Sequence, residues 1–300
     1  MKTTQELNKH VVWTAVVTPL TSDGKVDYPS LESLLRKQEE AGNGIVLLGS
    51  TAEALNLSGE DKNQIVRFAT KLGLKTGMIL GIGGQQLEDQ RQWMRFGEEH
   101  AFDGYLLVTP LYAKPGLVGQ TKWFEALMND SSRPCMLYNV PGRSAVAMHP
   151  DVLKNLAGHK NLWSLKEASG SVEKYSQFRQ AAGKDFTIYS GDDALLPFFV
   201  PMGCTGVVSV AGNVWPQETR RYAELALGQK FDRVFPLWEK ASNSLFLASN
   251  PLPVKALLAH KGWIKTNVMQ APLHHDDFKQ VGVLAEIDQQ VQQWFQKERA

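Results

Sequence analysis

The sequence holds only two cysteines, Cys135 and Cys204, in 300 residues. That excludes a disulfide framework and any zinc site built from several thiolates. Both fall in or beside apolar strand patterns and read as buried free thiols. No apolar run approaches the ~18 residues that a membrane span requires. The polar start MKTTQELNKH lacks the apolar centre of a secretory signal. An excess of one charge is missing too. Thirty-two Lys and Arg stand against 31 Asp and Glu, a net charge of +1, which gives no field to gather nucleic acid or an anionic membrane. Internal repeats and low-complexity segments are lacking. These absences point to a reduced, soluble, cytoplasmic protein without nucleic-acid or membrane partners.

Hydrophobic residues make up 43% of the chain, enough for a large core. They fall in eight short apolar runs: Trp13–Thr18, Ile45–Leu48, Met78–Leu80, Gly104–Thr109, Cys135–Tyr138, Leu162–Leu165, Phe186–Tyr189 and Gly206–Val210. Helical spacings separate them, as at Leu31, Leu34 and Leu35, or after the N-cap pattern Ser58–Asp61. Continuous rather than alternating runs suit parallel strands covered on both faces. The pattern predicts an α/β chain with a (β/α)8 barrel over residues 1–228. A helical appendage over 229–300 follows, ending in one long helix from His274 to Lys297. A doubly wound open sheet has the same local periodicity. No glycine-rich dinucleotide fingerprint follows the first strand, which weighs against it.

A barrel of this kind places its chemistry at the carboxyl ends of its strands. Ser50, Thr51, Glu53, Thr109, Tyr112, Tyr138, Asn139, Arg143, Lys166, Glu167, Asp192, Asp193, Ser209 and Asn213 all fall there. Singly, each has an ordinary explanation. Ser50 and Thr51 can cap a turn, the tyrosines can be core aromatics, and Asp192 and Asp193 can open a helix. Lys166 in LWSLKEASG can be a strand-end lysine whose stem covers apolar surface. Their convergence on one rim favours chemistry. A free lysine amine holds its proton to about pH 10.4, and burial in an apolar barrel lowers that value. The neutral amine can then condense with a ketone to an imine, an electron sink for the adjacent carbon. Tyrosine and serine hydroxyls can relay the protons, and Arg143 can hold a carboxylate with its fork. No metal set is evident, and neither metal nor cofactor is expected. His274-His275 reads as a helix-start pair.

GSTAE, VTPLYAKP, YNVPGR, LKEASG, SGDD, GVVSV and the NPLPVK of the tail, in this order, resemble the dihydrodipicolinate synthase / N-acetylneuraminate lyase superfamily, from about Thr14 to Lys255. The resemblance implies a (β/α)8 barrel, homotetrameric or homodimeric, that handles pyruvate through a lysine. The chain is most similar to the branch that condenses pyruvate with aspartate semialdehyde toward lysine and diaminopimelate. By that likeness Lys166 forms the imine. Tyr138, Ser50 and Tyr112 relay protons, with Tyr112 donated by a neighbouring subunit. Thr51 and the backbone at Val208 hold the pyruvate carboxylate, and Arg143 receives the aldehyde's carboxylate. A sister aldolase acting on a sugar acid, or a catalytically silent keto-acid sensor, are the other readings. Ser50 and Ala52 depart from the family's GTTGE, and Ala52 is expected to strain a left-handed loop position. Leu111 replaces the first tyrosine of a pair. Ala54, Leu55, Gly59, Lys62 and Leu111, where regulated members bind lysine, lack the expected polar and aromatic groups. Weak or absent inhibition by lysine is therefore expected.

Overall fold

The computed structural model describes residues 2–235 and 237–299. Eight parallel strands close into a barrel in chain order: β1 (Val12–Ala15), β2 (Gly44–Leu47), β3 (Met78–Ile82), β4 (Gly104–Val108), β5 (Cys135–Asn139), β6 (Leu162–Glu167), β7 (Thr187–Ser190) and β8 (Val207–Ser209). Each apolar run expected to be a strand is one. The boundaries move by a few residues, and the shift at β6 matters: the strand continues through Lys166 and Glu167. Lys166 is thereby a ladder residue, paired with Tyr138 on one side and Tyr189 on the other.

The outer helices are α1 (Tyr28–Glu40), α2 (Gly59–Lys71), α3 (Leu87–Glu98), α4 (Leu117–Asn129), α5 (Asp151–Leu156), α6 (Val172–Ala182), α7 (Leu196–Phe199) and α8 (Pro216–Leu227). The predicted cap of α2 forms, Ser58 Oγ accepting from the Asp61 amide at 3.0 Å. Strand residues alternate between two apolar clusters. One faces these helices; the other fills the barrel with Trp13, Val46, Met136, Tyr138, Trp163, Tyr189 and Val208, among others. A short N-terminal helix, Thr4–Leu7, adds Leu7 to the inner cluster. Asn8 accepts from Trp163 Nε1 at 2.7 Å, which ties the N-terminal segment to β6.

The tail comprises α9 (Leu237–Ser244), α10 (Leu252–His260) and α11 (Val281–Arg299). The long helix expected over His274–Lys297 forms but begins only at Val281, running to Arg299. His274 caps a short 3-10 turn, His275–Asp277, by accepting from the Asp276 amide at 3.2 Å. Phe278 then leaves that turn in extended conformation before α11 begins. Among the described residues no helix is long and apolar enough to cross a membrane. Both cysteines are buried free thiols, and burial pushes Cys135 up to about 12.

Candidate active site

After β2 the chain turns sharply. Leu48 and Glu53 take left-handed conformations, φ 55° and 57°, on either side of a 3-10 turn, Ser50–Ala52. The strain expected at Ala52 is not there. Ala52 lies inside the turn, and the left-handed positions belong to its neighbours. Its carbonyl accepts from Thr18 Oγ1 at 2.8 Å, and its methyl is buried. Among the described residues, the amides of Ser50 and Thr51 have no acceptor within the chain. They open the turn as free donors, the arrangement that favours an anion.

Gly81 of β3 makes this turn possible. A Cβ there would lie 2.4 Å from the Leu48 carbonyl oxygen, a backbone atom that has no side chain to swing away. Gly81→Ala should cost about 1–3 kcal/mol through overpacking, read as a lower denaturant midpoint. An unchanged midpoint would show that the contact does not hold the loop.

The tail grips the same loop from outside the barrel. Lys255 of α10 and Glu53 are both essentially fully buried and form an ion pair of 2.8 Å. Glu53 Oε2 also accepts from the Gln270 amide at 2.6 Å. Asn250, just before α10, donates from Nδ2 to Thr51 Oγ1 at 2.9 Å. Its carbonyl accepts from Arg143 Nη2, also at 2.9 Å. Asn250 and Lys255 belong to the NPLPVK motif, which the sequence marked without a role for either residue.

A cavity of 350 Å³ opens between these elements, walled by Ser50, Glu53, Lys62, Tyr138, Arg143 and Asn250 together with Leu55, Trp93, Leu111 and Leu273. Lys166 lies beside it rather than on its wall. Its ammonium sits 4.1 Å from the centroid of the Tyr138 ring. The residue is 5% exposed, and among the described residues no carboxylate pairs with it. A buried, unpaired lysine against an aromatic face differs from a lysine that reaches water.

Two acidic residues of the rim, just after β7, lie near Lys166. Burial raises the Asp192 carboxyl, the nearby Asp193 adds to that, and the Lys166 charge opposes both. Asp193 does not merely open a helix. It accepts from Ser209 Oγ and from the amides of Val210 and Ala211 at 2.9 and 3.2 Å, so it fixes the end of β8. Asn213 does similar work at β1, accepting from the Val17 amide at 3.0 Å.

Glu167 ties β6 to β5 by accepting from Asn139 Nδ2 at 2.6 Å, and it receives the Ser169 amide at 2.9 Å. Burial raises its carboxyl above the usual 4.5, with the Ser169 and Asn139 bonds pulling down. A carboxyl raised in the folded state lends stability that is complete below its unfolded value and is lost as pH rises through the folded value. Glu167→Gln has no such titration. The wild type's advantage in denaturant midpoint over this variant should be larger near pH ~4.5 than near pH ~7. A difference that is flat with pH would refute this.

The structure gathers Ser50, Tyr138 and Arg143 on one cavity, with Thr51 and Lys166 directly behind its walls. Thr109 supports Tyr138, donating from its hydroxyl to the Tyr138 carbonyl at 3.0 Å. Val208 lies in the inner cluster with Tyr138 and Tyr189. Tyr112 stands apart from its own chain's cavity. It is 83% exposed, at φ 66°, and its amide donates to Ser144 at 3.3 Å.

This is a (β/α)8 barrel with a buried lysine at the carboxyl-terminal rim of its strands. The chain belongs to the dihydrodipicolinate synthetase family, whose model matches residues 8–289. The 4-hydroxy-tetrahydrodipicolinate synthase of Francisella philomiragia is 44% identical over 95% of this chain and 96% of its own length. Among solved structures, the 4-hydroxy-tetrahydrodipicolinate synthase of Methylacidiphilum fumariolicum superposes with a TM-score of 0.89 at 31% identity, covering 96% of this chain and 97% of that one. The chloride-inhibited dihydrodipicolinate synthase of Acinetobacter baumannii, solved with pyruvate, does so at 0.84 and 30%, covering 95% and 98%.

Proposed function

We propose that the protein condenses pyruvate with L-aspartate 4-semialdehyde, as a 4-hydroxy-tetrahydrodipicolinate synthase, through an imine on Lys166. The observation that carries the residue assignment is the buried, unpaired Lys166 ammonium against the Tyr138 ring. The neutral amine adds to the pyruvate ketone, and loss of water leaves the imine. The methyl group then gives up a proton, and the resulting enamine carbon bonds to the aldehyde carbon, whose oxygen takes a proton. Tyr138 and Ser50 are placed to pass those protons across the cavity. Thr51, the free amides of its turn and the backbone at Val208 receive the pyruvate carboxylate. Arg143, at the mouth, receives the carboxylate of the aldehyde. The exposure of Tyr112 supports its donation to the site of a second subunit in a homodimer or homotetramer. The cytoplasm, where pyruvate is at hand, is the proposed location.

Borohydride reduction in the presence of pyruvate tests the assignment, and turnover with aspartate semialdehyde against sugar acids tests the substrate. A trapped mass increase with activity confined to the semialdehyde is expected. Activity confined to sugar acids would favour the sister aldolases, and a chain that binds pyruvate without trapping would favour a sensor.

Inhibition by lysine is expected to be weak or absent. Ala54, Leu55 and Leu111 present apolar atoms to the cavity, and Gly59 opens α2 without a side chain. The Lys62 ammonium, 5.3 Å from the Trp93 ring centroid, would repel a second ammonium. Half-inhibition at micromolar lysine would contradict this.

A further inference from the structure

The two carboxylate-binding residues come from different strands, Thr51 after β2 and Arg143 after β5. One residue from outside the barrel touches both. The Asn250 side chain holds Thr51 Oγ1 and its carbonyl holds Arg143 Nη2, each at 2.9 Å. Asn250 is 5% exposed, and it forms part of the cavity wall. The other end of its amide, Oδ1, is buried with no partner among the described residues. A buried amide with an unmatched oxygen costs free energy, so stability alone does not account for an asparagine here. Sites that break this rule are commonly functional.

We propose that Asn250 is a positioning residue that sets the spacing between the two carboxylate sites. It orients the Thr51 hydroxyl toward the keto acid and stops the Arg143 guanidinium from swinging into solvent. Through this strut the site selects a pair of acids whose carboxylates end up a set distance apart in the condensed product. Glu53, locked by Lys255 and Gln270, holds the far end of the same loop, so the strut works against a fixed support. The inference rests on the roles given above to Thr51 and Arg143.

The test uses full-length Asn250→Ala and Asn250→Ser, in which the side chain no longer reaches Thr51. Three quantities are measured: the pyruvate concentration that half-saturates borohydride trapping, the KM for aspartate semialdehyde with kcat, and the melting temperature. Loss of one hydrogen bond should raise the half-saturating pyruvate by about three- to tenfold. Both variants keep the main-chain carbonyl that holds Arg143, so the semialdehyde KM should rise less, by at most about threefold through displacement of the strut, while kcat stays within about twofold, the pattern of lost binding rather than lost chemistry. Adding Asn250→Ala to Thr51→Val should produce no further rise in half-saturating pyruvate, because the two residues act through one contact. A purely structural asparagine would lower the melting temperature and leave both binding constants of the folded enzyme unchanged. Half-saturation of trapping by either variant at the wild-type pyruvate concentration overturns the proposal, and so does failure of both variants to fold. A wild type that traps no pyruvate removes the proposed function itself, and this inference with it. Normal trapping by the wild type with unshifted variants removes only the role of Asn250.

Discussion

Lys166→Ala should yield no trapped adduct with pyruvate, and turnover should fall by a factor on the order of 10^4 or more, the scale of removing a covalent nucleophile. Among the described residues Lys166 is a buried amine without a carboxylate partner, whereas Lys255 is paired with Glu53, and the ladder holds Lys166 in place from both sides, through Tyr138 and Tyr189. The Lys166 ammonium rests 4.1 Å from the centroid of the Tyr138 ring. Lys166→Arg separates chemistry from charge. The guanidinium keeps a cation beside Asp192 and Asp193 but cannot condense with a ketone. It should fail as completely as alanine. Mass spectrometry after borohydride reduction, with circular dichroism to confirm folding, makes the measurement. A trapped product in either variant, or turnover within tenfold of the wild type, would end the imine proposal.

The second large effect concerns stability. Lys255→Ala should destabilise the fold by about 3–5 kcal/mol, because it leaves the Glu53 carboxylate buried without its partner. In a chain of this size that lowers the melting temperature by roughly 10 °C. The pair lies between α10 and the β2 loop, at 0% and 1% side-chain exposure, so water cannot replace the lost ammonium. Burial works against the Lys255 charge, and the Glu53 contact offsets it. The double variant Lys255→Met with Glu53→Gln removes both charges and keeps an acceptor for the Gln270 amide. It should recover most of the loss, since an apolar replacement of a buried pair is often neutral. Thermal denaturation of the three proteins decides the matter. A double variant no more stable than Lys255→Ala would mean that the pair contributes more than it costs to bury. Catalysis need not recover with stability, because the pair also holds the loop that carries Ser50 and Thr51.

Much of the site could be read along the chain because a parallel barrel brings its strand ends to one rim. Ser50, Tyr138, Arg143 and Lys166 each follow, or nearly end, an apolar run, so locating the runs located the residues. Asp193 was legible as a rim acid but not as the clamp on β8. That role depends on Ser209, Val210 and Ala211 arriving opposite it. The left-handed conformations fall on Leu48 and Glu53 rather than Ala52 for a related reason. Which residue of a tight turn takes positive φ depends on what the turn packs against, here the bare backbone of Gly81.

Local pattern was enough for the eight strands, their order and the class of chemistry, since period and apolar content act over a few residues and the closed barrel is the arrangement that covers such strands. It did not reveal the contribution of the tail. Asn250 lies 199 residues from Thr51 and Lys255 lies 202 from Glu53. Contacts across such separations are set by how the helices seat on the barrel, and no periodicity in the chain records that.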